Sequence, residues 1–392
     1  MRFLTAGESH GAALTGIIEG LPAGLPIDEK YINHQLARRQ GGYGRGGRMS
    51  IEKDQVKFLS GLRFGETTGA PLALVIENKD WPNWQETMSL HSQGSKDCKK
   101  VTSPRPGHAD FAGGIKYLRE DLRDVLERAS ARETAARVAI GAVASQLLEH
   151  FGIKVASFVT SVGGVSSESQ LENCSAADAE RSRTSQLYCL DEEAERIMVK
   201  NIERAREEGD TLGGTFKVVV EGVPIGLGSC VHWDRRLDAQ LSAGLMSIPG
   251  IKGVEVGLGF TAAEMKGSKV HDELFTDDKK GIHRKSNGAG GLEGGITNGE
   301  KIVLQAAMKP IPTLQKSLSS VDLPTNSPSR ASVERSDICA VPAASVVGEA
   351  VVSWELAKSF REKFGGDTIT ELEEAYESYR YMVKEYLKKD EI

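Results

Sequence analysis

The chain repeats itself, and that repetition limits its possible folds more than any other feature. Gly7–Leu25 reads as a tight polar turn, a short apolar strand, and a second turn at Glu19-Gly20-Leu21-Pro22-Ala23-Gly24-Leu25. The pattern returns at Gly209-Asp210-Thr211-Leu212-Gly213-Gly214, the strand 216–220, and Glu221-Gly222-Val223-Pro224-Ile225-Gly226-Leu227. Acidic, hydroxyl, Glu-Gly, proline, glycine and leucine positions fall at the same offsets in both copies. Gly65-Glu66-Thr67-Thr68-Gly69, ahead of the apolar run 71–76, matches Gly295-Ile296-Thr297-Asn298-Gly299, ahead of 301–304. Arg128-Ala129-Ser130 followed by Gly141 matches Arg335-Ser336-Asp337 followed by Gly348 at equal spacing. The ordered matches predict two related αβ halves, about 1–150 and 200–365, facing each other across a pseudo-twofold axis.

Local patterns fill in the frame. The run 71–76 and a segment near 153–162 read as buried strands. Ile115, Leu118, Leu122, Val125 and Leu126 predict one amphipathic helix face. Ser130 and Glu133 stand in capping-box spacing at the start of a second helix, whose uncharged stretch 138–148 predicts burial. Residues 165–190 read as a surface excursion, and 190–208 as a charged helix. An insertion at about 262–293, ending in a glycine-rich run, reads as a loop that is flexible until something binds it. A helix running to about Phe364 precedes a last helix, about 370–388, expected to open at a Thr370/Glu373 capping box. Its stripe of Leu372, Tyr376, Tyr379, Val383 and Tyr386 suits packing or subunit contact.

At 392 residues, with 39% hydrophobic and 27% charged residues, the chain has ample material for a globular core. A net charge of −6 gives no bulk attraction to nucleic acid or anionic membrane, so any anion site must be a local basic cluster. The five cysteines form no CxxC pair and fit a reducing cytoplasm better than a disulfide framework. The histidines show no metal-ligand spacing, and no apolar run is long enough for a membrane span. Neither a dinucleotide GxGxxG loop nor a GxxxxGK[ST] loop is present.

Arg38, Arg39, Arg45 and Arg48 are strung through glycines and one tyrosine. Guanidinium groups grip phosphates and carboxylates bidentately, and glycine lets such a loop fold over a small ligand. The loop fits a cradle for a multiply charged small anion, an RGG-like nucleic-acid segment, or a solvated loop. Its single occurrence amid globular sequence favours the small anion. His10 and His108 sit in glycine-flanked polar turns, where a histidine can act as acid or base near neutrality. Lys309 and Thr313 frame a stiff Pro310-Ile311-Pro312 loop suited to a phosphate or a planar ring edge. Asp337, ahead of a proline-started helix, reads either as a cap or as a functional acid.

These segments also carry a family resemblance. GESHGAALTGIIEGLPAG at 7–24, ERASARETAARVAIGA at 127–142 and RSDICAVPAASVVGEA at 335–350 resemble the three signatures of chorismate synthases. NKDWPNW at 78–84, RPGHAD at 105–110, GGLEGGITNG at 290–299 and KPIPT at 309–313 are similar to that family in order and spacing. The chain departs from it at Asn287-Gly288, where the family commonly has Asn-Asn.

The resemblance implies an α+β fold, a β-α-β sandwich, in a homotetramer. It implies a lyase of the shikimate pathway that converts 5-enolpyruvylshikimate 3-phosphate to chorismate and phosphate by anti-1,4-elimination. Reduced FMN is required without net redox change, with NADPH or an external flavin reductase as the source of electrons. It implies that Arg39, Arg45, Arg48 and Arg132 neutralise the substrate, with Arg39 and Arg45 also at pyridine-nucleotide positions. His10 would assist phosphate departure, His108 would stabilise the reduced flavin, and Asp337 would end a proton path. Arg128, Ala129, Ser130, Pro249, Gly250, Gly294, Lys309, Pro310, Ile311, Pro312, Thr313 and Arg335 fall at flavin-contact positions.

Overall fold

The computed structural model describes residues 1–46, 53–91, 98–167, 174–277, 281–334 and 336–387. The fold is α+β, with a helical layer held between two antiparallel sheets. The first sheet contains β1 (Arg2–Ala6), β2 (Ala13–Glu19), β3 (Val56–Ser60) and β4 (Leu72–Glu77), in the order β1-β2-β4-β3. Leu14 and Ile18 of β2 and Leu72, Leu74 and Ile76 of β4 alternate inward and are fully buried. The second sheet contains β5 (Lys154–Val162), β6 (Val165–Ser166), β7 (Gly214–Glu221), β8 (Ile251–Val256) and β9 (Ile302–Met308). Its order, β6-β5-β7-β9-β8, contains the connectivity of the first sheet. A register slip between Phe58 and Ser60 of β3 is mirrored by one between Ile251 and Gly253 of β8.

The match extends to single hydrogen bonds. Thr67 Oγ1 donates to Pro22 O (2.5 Å) and accepts from Leu25 N (2.9 Å). Thr297 Oγ1 donates to Pro224 O (2.6 Å) and accepts from Leu227 N (2.8 Å). Gly24 N donates to Thr67 O and Gly226 N to Thr297 O, closing both copies in the same way. Each threonine thus satisfies two backbone groups of a turn that would otherwise bury them unpaired.

The middle layer is built from α1 (Glu29–Gln40), α2 (Thr134–His150), α4 (Leu237–Met246) and α5 (Val341–Phe364), with α6 (Ile369–Leu387) at its end, while α3 (Glu192–Glu208) lies beside β6. The uncharged stretch of α2 is buried, as its composition requires. Gly141 of α2 faces Ala350 of α5 so closely that an added Cβ would lie 2.4 Å from that residue's Cα. Gly348 of α5 does the same against Phe216 of the second sheet, at 2.6 Å. The two glycines matched in sequence therefore both permit close approach of α5.

Several local expectations are corrected. The residues 115–126 do not form one helix. Helix 110–117 ends where Leu118 takes φ 51, and Ile115 and Leu118 are exposed. Ser130 caps a 3₁₀ turn by accepting from Arg132 N, while Glu133 accepts from Thr5 and Arg137, so the expected capping box is absent. The last helix does have a capping box, but at Thr368 and Glu371. Of its stripe, Leu372 and Tyr376 pack in the core, while Tyr386 is exposed. The excursion after β6 folds back: Ala176 and Ala179 bury against Phe158 and Val219 on the outer face of the second sheet. The glycine-rich run that ends the insertion is held by hydrogen bonds of its own. Asp272 accepts from Gly288 N and Ala289 N, and Asn287 accepts from Gly291 N.

Candidate active site

Between the sheets' ends and the N-termini of α2 and α5 lies a cavity of about 740 Å³. Its first wall is the β1–β2 turn. Gly7 takes φ 105 there, and a Cβ on it would strike Ala13 O at 2.3 Å, so the turn needs glycine. Asn78 Nδ2 donates to Glu8 O and Gly11 O and holds the turn from below. His10 donates its backbone N–H to Glu127 Oε2 (2.9 Å), and its Nδ1 lies 2.8 Å from the same oxygen. The imidazole stacks on Trp84, with centroids 3.8 Å apart. Ser130 Oγ donates to Ser9 Oγ (3.2 Å), joining this turn to the start of α2.

The second histidine is held in a similar way. His108 Nδ1 lies 2.5 Å from Asp110 Oδ1, and Arg105 Nε donates to Asp110 Oδ2 at 2.8 Å. Arg105 also donates to Thr313 Oγ1 (3.1 Å), and Lys309 Nζ donates to Gly107 O (2.6 Å). The 105–110 and 309–313 loops are therefore tied together. Burial by itself would push the Asp110 and Glu127 carboxyls up. The hydrogen bonds from the histidines, with Arg105 and Arg123 nearby, outweigh it and hold both below the ordinary carboxylate range.

The floor is cationic. Arg38 and Arg39 belong to the last turn of α1 rather than to a loop. Arg38 turns away and makes a buried two-pronged pair with Glu349, both contacts 2.7 Å. Arg39 donates from Nε to Thr134 Oγ1 and from Nη2 to Ala131 O. Its buried Nη1 lies 3.8 Å from Asp54 and has no hydrogen-bond partner among the described residues. Burial first, with Asp54 opposing it and Arg132 and Arg45 reinforcing it, pushes the Arg39 guanidinium down to about 9. Arg132 donates to Asn78 Oδ1 (2.9 Å) and Asp54 Oδ2 (2.6 Å). Asp337 is not a cap, since Ala340 occupies that position. Its carboxylate accepts from Gly46 N (2.6 Å) and pairs with Arg45 (2.8 Å).

Of the residues expected at a site, His10, His108, Asp337, Arg39, Arg45, Arg132, Ala129, Ser130, Pro249, Gly250, Lys309, Pro310, Ile311, Pro312 and Thr313 line this cavity. Arg128 and Gly294 do not. The Arg128 guanidinium donates to Gly7 O and Thr5 O at the end of β1. Gly294 sits in the turn of the 292–297 hairpin beside Cys230. Arg48 and Arg335 lie outside the described residues. Residues not singled out in the sequence also line the wall, among them Trp84, Arg105 and Lys252. Glu127 and Asp110 stand behind the two histidines. Both lie inside the recognised motifs, but nothing in the pattern says which carboxylate meets which ring.

The arrangement offers a cationic floor for a small anion and two imidazoles whose Nδ1 atoms are taken up by carboxylates. The residues 1–360 match the family model described as chorismate synthase. A chorismate synthase of Desulforamulus reducens is 58% identical over 98% of this chain and 100% of its own length. One from Brevibacillus brevis is 55% identical over the same shares. The chain belongs to the chorismate synthase family. A crystal structure of a chorismate synthase superposes with a TM-score of 0.79 at 45% identity, covering 98% of each chain. Membership makes the protein an enzyme of the lyase class acting on a small molecule in the shikimate pathway. No described helix is long and apolar enough to cross a membrane.

Proposed function

We propose that the chain eliminates phosphate from 5-enolpyruvylshikimate 3-phosphate in the anti-1,4 sense, giving chorismate, with reduced FMN required and no net redox change. The observation that carries this reading is one cavity in which two carboxylate-held histidines face Arg39, Arg45 and Arg132. The substrate brings two carboxylates and a phosphate, the load that these guanidinium groups are suited to neutralise. The cavity also suits a flavin. Ile248, Met308, Ala343, Ala344 and Val347 give it an apolar wall, and its size lies within the ~300–1,000 Å³ of typical ligand sites. Ala129, Ser130, Pro249, Gly250 and Lys309–Thr313 would hold the cofactor. When bound, reduced flavin supplies electron density to the reacting allylic system.

The protein's own groups do the rest. Arg39, Arg45 and Arg132 bind and orient the anionic substrate. His10 gives a proton or hydrogen bond to the departing phosphate, an effect worth ~10²–10⁴-fold in comparable acid catalysis. With the flavin bound, His108 would donate to the reduced ring and offset its charge, and Asp337 would accept the proton lost from the substrate. Arg39 and Arg45 also suit a pyridine nucleotide if NADPH serves as reductant; an external flavin reductase is the other source. We read residues 1–392 as one domain of two duplicated halves, acting as a homotetramer in the cytoplasm.

Anaerobic incubation with substrate and catalytic reduced FMN should release chorismate and phosphate in equal amounts without consuming reductant. Phosphate release in the absence of flavin, or stoichiometric use of reductant, would overturn the reading. His10→Ala should lower kcat by about 10²-fold or more while leaving flavin affinity nearly unchanged.

A further inference from the structure

His10 stands on a turn between two strands, so something must fix its ring. Glu127 does this at three points. Its two oxygens lie 2.8 and 2.9 Å from His10 Nδ1, and one of them also accepts the His10 backbone N–H at 2.9 Å. Its carbonyl accepts from Ser9 N at 3.0 Å, so Glu127 holds the backbone on both sides of the Ser9–His10 peptide as well as the ring. The Glu127 side chain is fully shielded from solvent and is held in turn by Arg123, 3.0 Å away. The same guanidinium lies over Trp84, 5.2 Å from the ring centroid, while Trp84 stacks on the imidazole and donates Nε1–H to Asp80. The ring is thus fixed in plane and in rotation.

We propose that Glu127 is the positioning residue for His10: it fixes the Nδ1–H tautomer and turns the Nε2 edge away from itself. An ionised carboxylate only accepts, so the Nδ1 it touches must carry hydrogen. The proton that comes and goes is then the one on Nε2. This rests on the reading of His10 as the acid that assists phosphate departure.

A double-mutant cycle on the full-length, flavin-loaded enzyme tests the proposal. Glu127→Gln keeps the shape and one acceptor but removes the charge. It should lower kcat by about 10²-fold, with KM and flavin affinity changed by less than about twofold. Combined with His10→Ala it should add little further loss, because residues acting through one another are non-additive. Normal kcat in Glu127→Gln beside an impaired His10→Ala enzyme would overturn the proposal, as would losses that multiply. Normal turnover in His10→Ala would instead remove the reading on which it rests. Should Glu127→Gln fail to fold, Glu127→Asp, which keeps the buried charge but draws it back from Nδ1, runs the same cycle with the same outcomes.

Discussion

Gly141→Ala is a one-methyl change that should be felt in the cavity. On helix propensity alone it stabilises α2 by about 0.8–1 kcal/mol. The added Cβ, however, would lie 2.4 Å from Ala350 Cα, Cβ and O. Ordinary carbon contacts are about 3.5–4 Å, and backbone cannot rotate aside, so α2 and α5 must part by roughly 1 Å. Overpacking of this kind costs about 1–3 kcal/mol, and a backbone neighbour puts it at the upper end. The clash therefore wins by about 2 kcal/mol. With an unfolding entropy of ~2 cal/mol/K per residue, a chain this long should lose about 2–3 °C of Tm. The starts of α2 and α5 line the cavity, Thr134 with Arg132 of the preceding 3₁₀ turn on one side and Ala343 and Val347 on the other. Misplacement by ~1 Å can cost ~10²-fold in rate, so kcat should fall about 10-fold to 10²-fold. Gly164→Ala is the control. It takes φ 82 with nothing within 4 Å, costs about 1 kcal/mol through backbone strain, and lies away from the cavity. Calorimetry and steady-state kinetics on both variants decide the matter. Wild-type kcat in Gly141→Ala, or an equal drop in Gly164→Ala, would refute the link from helix crossing to site geometry.

Other outcomes follow from single contacts. Thr67→Val and Thr297→Val each strand two backbone groups, so each should cost about 1–3 kcal/mol in urea unfolding, and by similar amounts if the halves are equivalent. Arg39→Lys keeps the charge but loses the fork to Thr134 and Ala131, and KM for the phosphorylated substrate should rise by about tenfold. The Asp110 and Glu127 carboxyls are depressed in the folded chain, so their stabilisation is present above the unfolded value near ~4 and is lost as pH falls through the folded values. Stability should hold from about pH 7 to 5 and decline below about 4, less steeply in Asp110→Asn, as read by chemical denaturation across that range.

The sequence by itself determined the frame. Turn chemistry is local: a glycine forced to positive φ leaves its mark at a fixed place in the motif. That is why the matching turns, the strands 71–76 and 153–162 and the helix ending at Phe364 were legible. The cluster of His10, His108 and the arginines was legible too, through long ordered motifs. The tertiary structure alone decided who meets whom. Arg38 and Arg39 are adjacent, yet one faces Glu349 and the other the cavity, because successive helical residues point about 100° apart. Ser130 and Glu133 had capping-box spacing, but Thr5 and Arg137 claimed the glutamate. Glu127 and Glu334 occupy matching places in the repeat. One meets His10; the other lies 3.6 Å from Arg105, and Leu212 stands where the second half would have carried the histidine. Such pairings join residues far apart in the chain, and only packing brings them within reach of one another.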